Sequence, residues 1–168
     1  MYKVDVRTKG SGNAGATNVA RVFGMSAGFL TFICDGMKTI ASALVGHLLA
    51  GQEGVALAAA ACVVGHCWPV FFGFRGGKGV SVGAVVALIV DWKVLLLLGI
   101  VFFSVFALTH IVSVCSISVA ILLPVGAFLF GQPMPDCLLA LFTGLLVVFQ
   151  HRSNIGRLIR GEESKFKP

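Results

Sequence analysis

Two glycine-rich segments carry most of the side chains in this sequence that could bind an anion. The first, GSGNAGATNVAR, spans residues 10–21 and combines three glycines with four amide or hydroxyl side chains and an arginine. The second, GHCWPVFFGFRGGKGV, spans residues 65–80 and carries Arg75 and Lys78. Glycines let backbone N–H groups approach an anion closely, and arginine pairs with phosphate through two hydrogen bonds. Each segment leads into an almost pure hydrocarbon run, which indicates phosphate chemistry at a membrane surface.

Both segments resemble nucleotide-binding motifs only in part. Residues 10–15 match G-x-G-x-x-G, but that fingerprint requires a preceding strand, and only a charged nonapeptide precedes it here. Residues 73–79 have one residue too few for a Walker A loop, and Gly79 stands where magnesium needs Ser or Thr. We interpret the first segment as a phosphate loop before a helix that begins near Ala16, with a small-residue packing loop as the alternative. We interpret Gly76 and Gly77 as the centre of a cationic nest, with ordinary positive-inside anchoring as the alternative.

The composition is that of an integral membrane protein. Hydrophobic residues make up 57% of the 168, the mean hydropathy is +0.96 and 12% are charged, against roughly 25% in soluble domains. We predict one all-α membrane domain over residues 1–168, because unpaired backbone groups cannot face lipid. Six apolar stretches predict its transmembrane helices: 22–50, 55–74, 80–90, 94–108, 111–130 and 137–149.

The positive charges predict the orientation in the membrane. The net charge of +6 does not indicate nucleic acid as a partner, because the cations fall in loops rather than on one face. With six spans, both termini and both glycine-rich segments share a side, and Lys93 is the one loop cation on the opposite side. The excess of loop cations on the first side predicts that this side, with the candidate site, faces the cytoplasm. The loop cations on that side are Lys3, Arg7, Lys9, Arg21, Arg75, Lys78, Arg152, Arg157, Arg160, Lys165 and Lys167.

Among the polar residues within the hydrocarbon stretches, two pairs are candidates for a role. Asp35 and Lys38 are three residues apart and can pair on one helix face, so we interpret them as a structural ion pair rather than a catalytic one. Ser113 and Ser116 lie in the cytoplasmic half of the fifth stretch. Serines at such positions often bond only to a backbone carbonyl.

The end of the sixth stretch brings together a histidine, an arginine and an amide in the run His151 to Asn154. His151 is a candidate catalytic group, with an interfacial role as the alternative. The five cysteines show neither a C-x-x-C pair nor a ligand spacing typical of metal sites, so we expect buried thiols and no metal. A nucleophilic Cys67 beside His66 is the alternative.

In order and spacing, four blocks resemble the bacterial acyl-phosphate:glycerol-3-phosphate acyltransferase (PlsY) family: GSGNAGATNVAR, Asp35-x-x-Lys38, GHCWPVFFGFRGGKGV and HRSNIGRLIRGEESK. The resemblance runs from about Asp5 to Lys165. It implies an inner-membrane enzyme of phospholipid biosynthesis that transfers a fatty acyl group from acyl phosphate to the sn-1 hydroxyl of glycerol 3-phosphate. The products would be lysophosphatidic acid and phosphate. It implies that neither coenzyme A, a metal nor another cofactor is needed, and we expect a monomer.

The resemblance and the residue chemistry together give a set of expected site residues. We assign catalytic roles to Ser11, Lys78, His151 and Asn154. We assign binding of the substrates and their phosphates to Gly12, Asn13, Thr17, Asn18, Arg21, His66, Arg75, Gly76, Gly77, Ser113 and Ser116.

The sequence departs from the family pattern at three places. The family usually carries one more transmembrane helix before the first block, seven in all, so we expect a six-helix form that lacks it. Thr39 stands where the family has a glycine, and His110 stands about where it has an arginine. The second of these substitutions removes one expected phosphate contact.

An acyl phosphate is already activated, so the site must chiefly hold two phosphates together and align the hydroxyl with the carbonyl. The base for that hydroxyl could be His151, His66 or a substrate phosphate, and the sequence does not choose between them. We expect the acyl chain between helices, beside residues such as Phe71, Phe102 and Phe106. The alternative function is a small transporter or channel for phosphorylated metabolites. A transporter of this kind is expected to have polar residues at the membrane midplane and broken helices, and these are not the dominant pattern in this sequence.

Overall fold

A computed structural model of the protein describes residues 4–166, and all the regular secondary structure in that range is helical. Two of the expected cytoplasmic cations, Lys3 and Lys167, lie outside the described residues. Two short 3-10 turns lie at Val6–Thr8 and Val70–Phe72. The helices are α1 (Ala16–Phe23), α2 (Met25–Cys67), α3 (Val80–Val90), α4 (Trp92–Thr109), α5 (Val112–Leu129), α6 (Met134–Gln150) and α7 (Arg152–Ile159).

Helix α2 is a hairpin of two limbs rather than one rod. Its 43 residues would extend about 65 Å as a straight helix, roughly twice the thickness of a hydrocarbon core. The backbone leaves the helical conformation at Ala50 and Gly51, where the chain reverses. A Cβ on Gly46 would lie 2.2 Å from the carbonyl oxygen of Gly54, so only glycine lets the limbs touch here. The predicted interruption after residue 50 is confirmed.

The starts and ends of the neighbouring helices follow local signals. Helix α3 has the predicted bounds, because Gly79 precedes it with a φ of 84° and Asp91 follows it in an extended conformation. The Asp91 carboxylate accepts a hydrogen bond from the Lys93 N–H (2.8 Å) and so caps α4. Helix α1 begins at Ala16, as predicted.

Two predicted apolar stretches need correction. Gly24, with a φ of 91°, ends α1, so the stretch 22–50 belongs to two helices rather than one. The stretch 55–74 is helical only as far as Cys67. Pro69 then leads into the 3-10 turn Val70–Phe72. Apolarity alone did not reveal these breaks, which glycine and proline impose on the backbone.

Three helices in the described range are long and apolar enough to cross a membrane: Met25–Phe72 (which includes the hairpin), Trp92–Thr109 and Val112–Leu129. By the same criteria of length and composition, α6 and α7, bent by 54°, form one further candidate if they are taken together. Helix α3 is apolar but shorter.

The helices run between two polar ends of the molecule. At one end, Gln52 donates to Asp136 (3.0 Å) and Gln132 donates to Asp91 (2.8 Å), so the polar groups there pair with one another. The buried centre between the ends is built from small and branched side chains such as Val63. The opposite end collects the glycine-rich loops and the α6–α7 junction.

Candidate active site

A cavity of about 360 Å³ opens at the end of the molecule that holds the glycine-rich loops. Its polar part is lined by most of the expected site residues, and its apolar part continues between α3, α4, α5 and α6. The expected residues in its wall are Ser11, Asn13, Thr17, Asn18, Arg21, His66, Lys78, Ser113, Ser116, His151 and Asn154.

Asn18 holds the first glycine-rich loop in shape. Its buried amide nitrogen donates to the carbonyl oxygens of Val6 (3.0 Å), Lys9 (3.0 Å) and Asn13 (2.8 Å). Its amide oxygen accepts from the Ser11 N–H (2.8 Å). Both N–H donors of this side chain are therefore used by the surrounding backbone, and its oxygen already accepts one hydrogen bond there, so its role is to hold the loop rather than to bind a ligand.

Asn13 joins the two glycine-rich loops. Its amide nitrogen donates to the Gly76 carbonyl (3.3 Å), and its oxygen accepts from the Gly15 N–H (2.8 Å). The Ser11 hydroxyl has no hydrogen bond to any described residue. The guanidinium of Arg21 lies 5.6 Å from the centre of the Phe166 ring. Ser11, Thr17 and Arg21 are thus the groups that this segment presents to the cavity.

The glycines of the second loop serve packing. The N–H groups of Gly76 and Gly77 donate to the carbonyls of Cys67 (3.2 Å) and His66 (3.1 Å). A Cβ on Gly76 would lie 2.0 Å from the His66 carbonyl oxygen, and one on Gly77 would lie 2.0 Å from His66 Nε2. The expected nest is therefore not formed, because these N–H groups are already bonded and the loop lies tightly against the end of α2.

Four of the expected residues do not line the main cavity. Gly12 lies outside its wall. Arg75 is exposed and lines, with Gly76 and Gly77, a second cavity of about 440 Å³ on the other side of the loop. His66 lines both cavities and separates them.

Lys78 reaches from the second loop to helix α7. Its ammonium donates to the side-chain oxygen of Asn154, at 2.5 Å. Burial lowers the pKa of Lys78 to about 8, and the neighbouring positive charges of Arg157 and Arg21 add to this effect while Glu163 opposes it. The site therefore holds an ammonium that an arriving phosphate would strongly stabilise.

Glu163, which was not among the expected site residues, joins this network from the C-terminal tail. It accepts hydrogen bonds from Asn154 (2.5 Å), Ser113 (2.8 Å) and Arg157 (2.6 Å), and its side chain is almost fully buried. Burial alone would raise the pKa of Glu163, but these three donors hold it below its usual value. In the sequence it is one of two glutamates in a charged tail, and only its place in the resembling block GEESK hints at a role.

The two histidines of the cavity have different partners. His151 lies at the α6–α7 bend, and its Nδ1 is 2.7 Å from the Val147 carbonyl oxygen. His66 Nδ1 is 2.8 Å from Lys38 Nζ and 3.2 Å from Asp35 Oδ1. Neither Nε2 atom has a hydrogen-bond partner among the described residues.

The predicted ion pair is confirmed and is part of a larger cluster. Lys38 Nζ lies 2.6 Å from Asp35 Oδ1, and the Ser81 hydroxyl donates to Asp35 Oδ2 (2.7 Å). Asp35 is thus a buried carboxylate with three polar neighbours, Lys38, His66 and Ser81, rather than one partner of an isolated ion pair.

Ser116 donates to the Val112 carbonyl (2.9 Å), the bond expected of a helical serine.

The expected aromatic wall is only partly present. Phe102 lines the apolar part of the cavity. Phe71 is 96% exposed on the 3-10 turn, and Phe106 packs against His110 and Phe166 instead. Both lie outside the cavity wall, which is completed by Leu98, Gly99, Phe103, Leu123 and other side chains of α3–α6.

The described residues, 4–166, contain no cluster of three His, Cys, Asp or Glu side chains that could hold a metal ion.

Comparisons with known proteins agree with one another. The chain matches the family described as "Glycerol-3-phosphate acyltransferase" over residues 1–161. It is similar to the glycerol-3-phosphate acyltransferases of Syntrophomonas wolfei (38% identical, covering 98% of this chain and 85% of the relative) and Rubrobacter xylanophilus (41%, 98% and 83%). It is also similar to crystal structures of PlsY, an integral membrane glycerol 3-phosphate acyltransferase. The TM-score is 0.89 for the glycerol 3-phosphate form (38% identical, 98% of this chain and 84% of that chain). It is 0.87 for the lysophosphatidic acid form (37%, 94% and 81%).

Proposed function

The chain belongs to the glycerol-3-phosphate acyltransferase family, and on that premise we propose that it transfers a fatty acyl group from an acyl phosphate to the sn-1 hydroxyl of glycerol 3-phosphate. The observation that carries the proposal is the shape of the main cavity. Cations and hydroxyl donors line one part of it, and hydrocarbon lines the continuation between α3 and α6. A substrate with a phosphate at one end and an acyl chain at the other fits this arrangement. We further propose that residues 1–168 act as one catalytic unit.

The reaction forms one bond and breaks one. The glycerol hydroxyl oxygen attacks the acyl carbon, the carbon–oxygen bond to the phosphate breaks, and inorganic phosphate leaves with the bonding electron pair. The hydroxyl proton passes to a base. Because the leaving group is a stable anion, the chain has no need of coenzyme A or a metal, and its task is to position and stabilise charge.

The residues around the polar part of the cavity are suited to positioning the substrates and stabilising their charge. Lys78 and Arg21 neutralise negative charge as two phosphates come together, and Ser11 and Thr17 offer hydroxyl donors. Asn154 and Glu163 hold Lys78 and Ser113 in place through the network described above. Removal of one such charge contact costs on the order of 10²–10³ in rate.

The base is tested by pH–rate profiles of variants. If His151 accepts the hydroxyl proton, His151→Gln loses the acid limb of the profile, whereas His66→Gln keeps it. A limb that persists in both variants would assign the base to the substrate phosphate, whose second ionisation lies near pH ~6 by analogy with phosphoamino acids.

The proposed reaction is tested by release of inorganic phosphate in detergent from acyl phosphate and glycerol 3-phosphate, with and without EDTA. We expect phosphate and lysophosphatidic acid in equal amounts, and no effect of the chelator. A transporter of phosphorylated metabolites would release neither, and that result would overturn the proposal.

We propose that the protein lies in the bacterial inner membrane with its cavity facing the cytoplasm. The excess of loop cations at the cavity end supports this orientation. Reporter tags fused before Met1 and after Pro168 test it, and we expect both to report the cytoplasmic side. An external N-terminal tag would contradict the six-span arrangement.

A further inference from the structure

The two histidines of the main cavity differ in the kind of atom that faces Nδ1. For His151 it is a backbone carbonyl oxygen, and for His66 it is a lysine ammonium. A carbonyl oxygen can only accept a hydrogen bond, and an ammonium can only donate one. In a neutral imidazole one ring nitrogen carries the proton and the other carries the lone pair. The partner of Nδ1 therefore decides what Nε2 offers to the cavity.

His151 must carry its proton on Nδ1. The Val147 carbonyl lies 2.7 Å from Nδ1, which is a short distance for a hydrogen bond, and one proton has to lie between the two atoms. Its Nε2 then holds the lone pair. His151 is buried and lines the main cavity but not the second one, so this lone pair is available to a ligand in the main cavity.

His66 is in the opposite situation. Lys38 Nζ lies 2.8 Å from its Nδ1 and 2.6 Å from Asp35 Oδ1, so one ammonium bridges the ring and the carboxylate. A proton on Nδ1 would point at the ammonium protons across that 2.8 Å contact. The longer separation from Asp35 Oδ1, 3.2 Å, does not offset this conflict. The proton of a neutral His66 therefore lies on Nε2.

The Nε2 atom of His66 lies beside Gly77 of the second glycine-rich loop. A Cβ on Gly77 would lie 2.0 Å from Nε2, so the loop backbone packs close to this nitrogen and the lack of a side chain at residue 77 keeps a Cβ out of the space beside it. The charged and polar groups around the ring are Asp35 and Lys38 on α2 and, through Asp35, Ser81 on α3. All of them contact the Nδ1 side of the cluster, and Nε2 has no described partner.

We propose that Lys38 and the Val147 carbonyl hold the two histidines in opposite tautomers, so that His66 donates a hydrogen bond into the cavity and His151 accepts one. Lys38 is then a positioning residue for His66. On the proposed function, which this inference deepens, His66 Nε2–H bonds to an anionic oxygen of a phosphate and cannot be the base. His151 Nε2 is the side-chain acceptor available to the glycerol hydroxyl.

The wild-type protein itself provides the first test. Nitrogen-15 NMR of ring-labelled histidine distinguishes a protonated from an unprotonated ring nitrogen. The chain has four histidines, and His47→Gln and His110→Gln remove the signals of the two that lie outside the main cavity. We expect a protonated Nε2 for His66 and a protonated Nδ1 for His151. The same tautomer in both rings would overturn the proposal without any variant of the cluster.

Substitution of Lys38 provides the second test. In Lys38→Met the Nδ1 of His66 is left facing Asp35, so we expect its proton to move to Nδ1 while the His151 signals stay unchanged. The KM for one of the phosphate-bearing substrates should rise on the order of 10- to 100-fold, the range for a lost hydrogen bond to a charged group, with a smaller change in kcat. Lys38→Arg keeps a cation that only donates and should retain the wild-type tautomer. Lys93→Met, at the opposite end of the molecule, is the matched control for lysine removal.

The outcomes separate this inference from the proposed function. An unchanged His66 tautomer in Lys38→Met would show that Lys38 does not position the ring, whatever the activity. Opposite tautomers in a protein that releases no phosphate from acyl phosphate would leave the histidine assignment standing and overturn the proposed reaction.

Discussion

The two glycine-rich loops are similar in sequence but have different roles in the structure. In the first, the side chain of Asn18 makes four hydrogen bonds to the backbone of the loop and of the residues just before it. In the second, the N–H groups of Gly76 and Gly77 bond to the end of α2, and their missing side chains allow the close approach. The first loop presents the hydroxyls of Ser11 and Thr17 and the guanidinium of Arg21 to the cavity, and the second presents the ammonium of Lys78.

Glycine-rich loops of similar composition can therefore differ in the groups that they leave for a ligand. Donor-rich composition suggested that most polar atoms in both loops bind phosphate. A buried amide or N–H must first find a partner within the protein, and most of these do. The groups left for a ligand are those that the loop does not need for its own structure, namely Ser11, Thr17, Arg21 and Lys78. Substitutions that separate these two kinds of residue test the distinction.

The largest effect is expected at the ammonium of the second loop. Lys78→Ala should lower kcat on the order of 10²–10³, because in the proposed reaction the charge that develops on the leaving phosphate would lose a cation that stabilises it. Rates of phosphate release measure this. Lys93→Ala, at the opposite end, should have wild-type kinetics, and equal losses in the two variants would mean that Lys78 acts through folding or insertion.

The next effect concerns stability of the first loop. Asn18→Asp keeps the acceptor for Ser11 but removes the donor to three carbonyls, each of which loses a partner in a part-buried loop. We expect the free energy of unfolding to fall by about 3 kcal/mol, measured by thermal unfolding in detergent. Ser11→Ala should leave stability unchanged, so a similar drop in both variants would contradict the division between structural and ligand-binding groups.

Two arginines test whether position outweighs residue type. Arg21 lines the main cavity, whereas Arg75 faces the second one. Arg21→Ala should raise the KM for a phosphate-bearing substrate on the order of tenfold or more. Arg75→Ala should change it less than about twofold, as is usual for an exposed charge without a close partner. Steady-state kinetics in the two variants decide the matter, and a reversed order would restore the second loop as a phosphate cradle.

The smallest effect is a dependence on pH. Below a pKa of about 8, Lys78 is charged, and above it the neutral amine predominates. We therefore expect the wild-type rate to fall as pH rises through this value, by about tenfold at pH 9 in the absence of substrate protection. Lys78→Arg carries a charge that is not lost in this range and should remove the alkaline limb. A limb that persists in this variant would assign it to another group.

The sequence predicted elements better than contacts. The bounds of α3 were predicted correctly because Gly79 and Asp91 interrupt the apolar pattern on either side. The α2 hairpin was predicted as a break after residue 50 for a similar reason. Local composition decides both features, so a single sequence suffices to find them.

Contacts between distant segments could not be predicted in this way. Glu163 meets Ser113 across 50 residues of sequence, and no local property marks it as different from Glu162. Arg21 and Arg75 belong to similar glycine-rich segments of the sequence, and only the path of the second loop turns Arg75 away from the main cavity. The resemblance to the family identified most residues in the polar wall of the cavity. It did not distinguish the residues that shape the loops from the residues that are free to bind a ligand.

The apolar part of the cavity, between α3, α4, α5 and α6, bears on how the enzyme would meet the acyl substrate proposed above. Phe103 lines the cavity and is nevertheless 71% exposed on the surface of α4, so the apolar part reaches the flank of the helix bundle. An acyl chain can then enter and leave sideways, without crossing water. For such an enzyme the relevant concentration is the number of substrate molecules per unit area of bilayer. Added inert lipid slows catalysis by surface dilution, while the volume of the surrounding solution has no influence on the encounter.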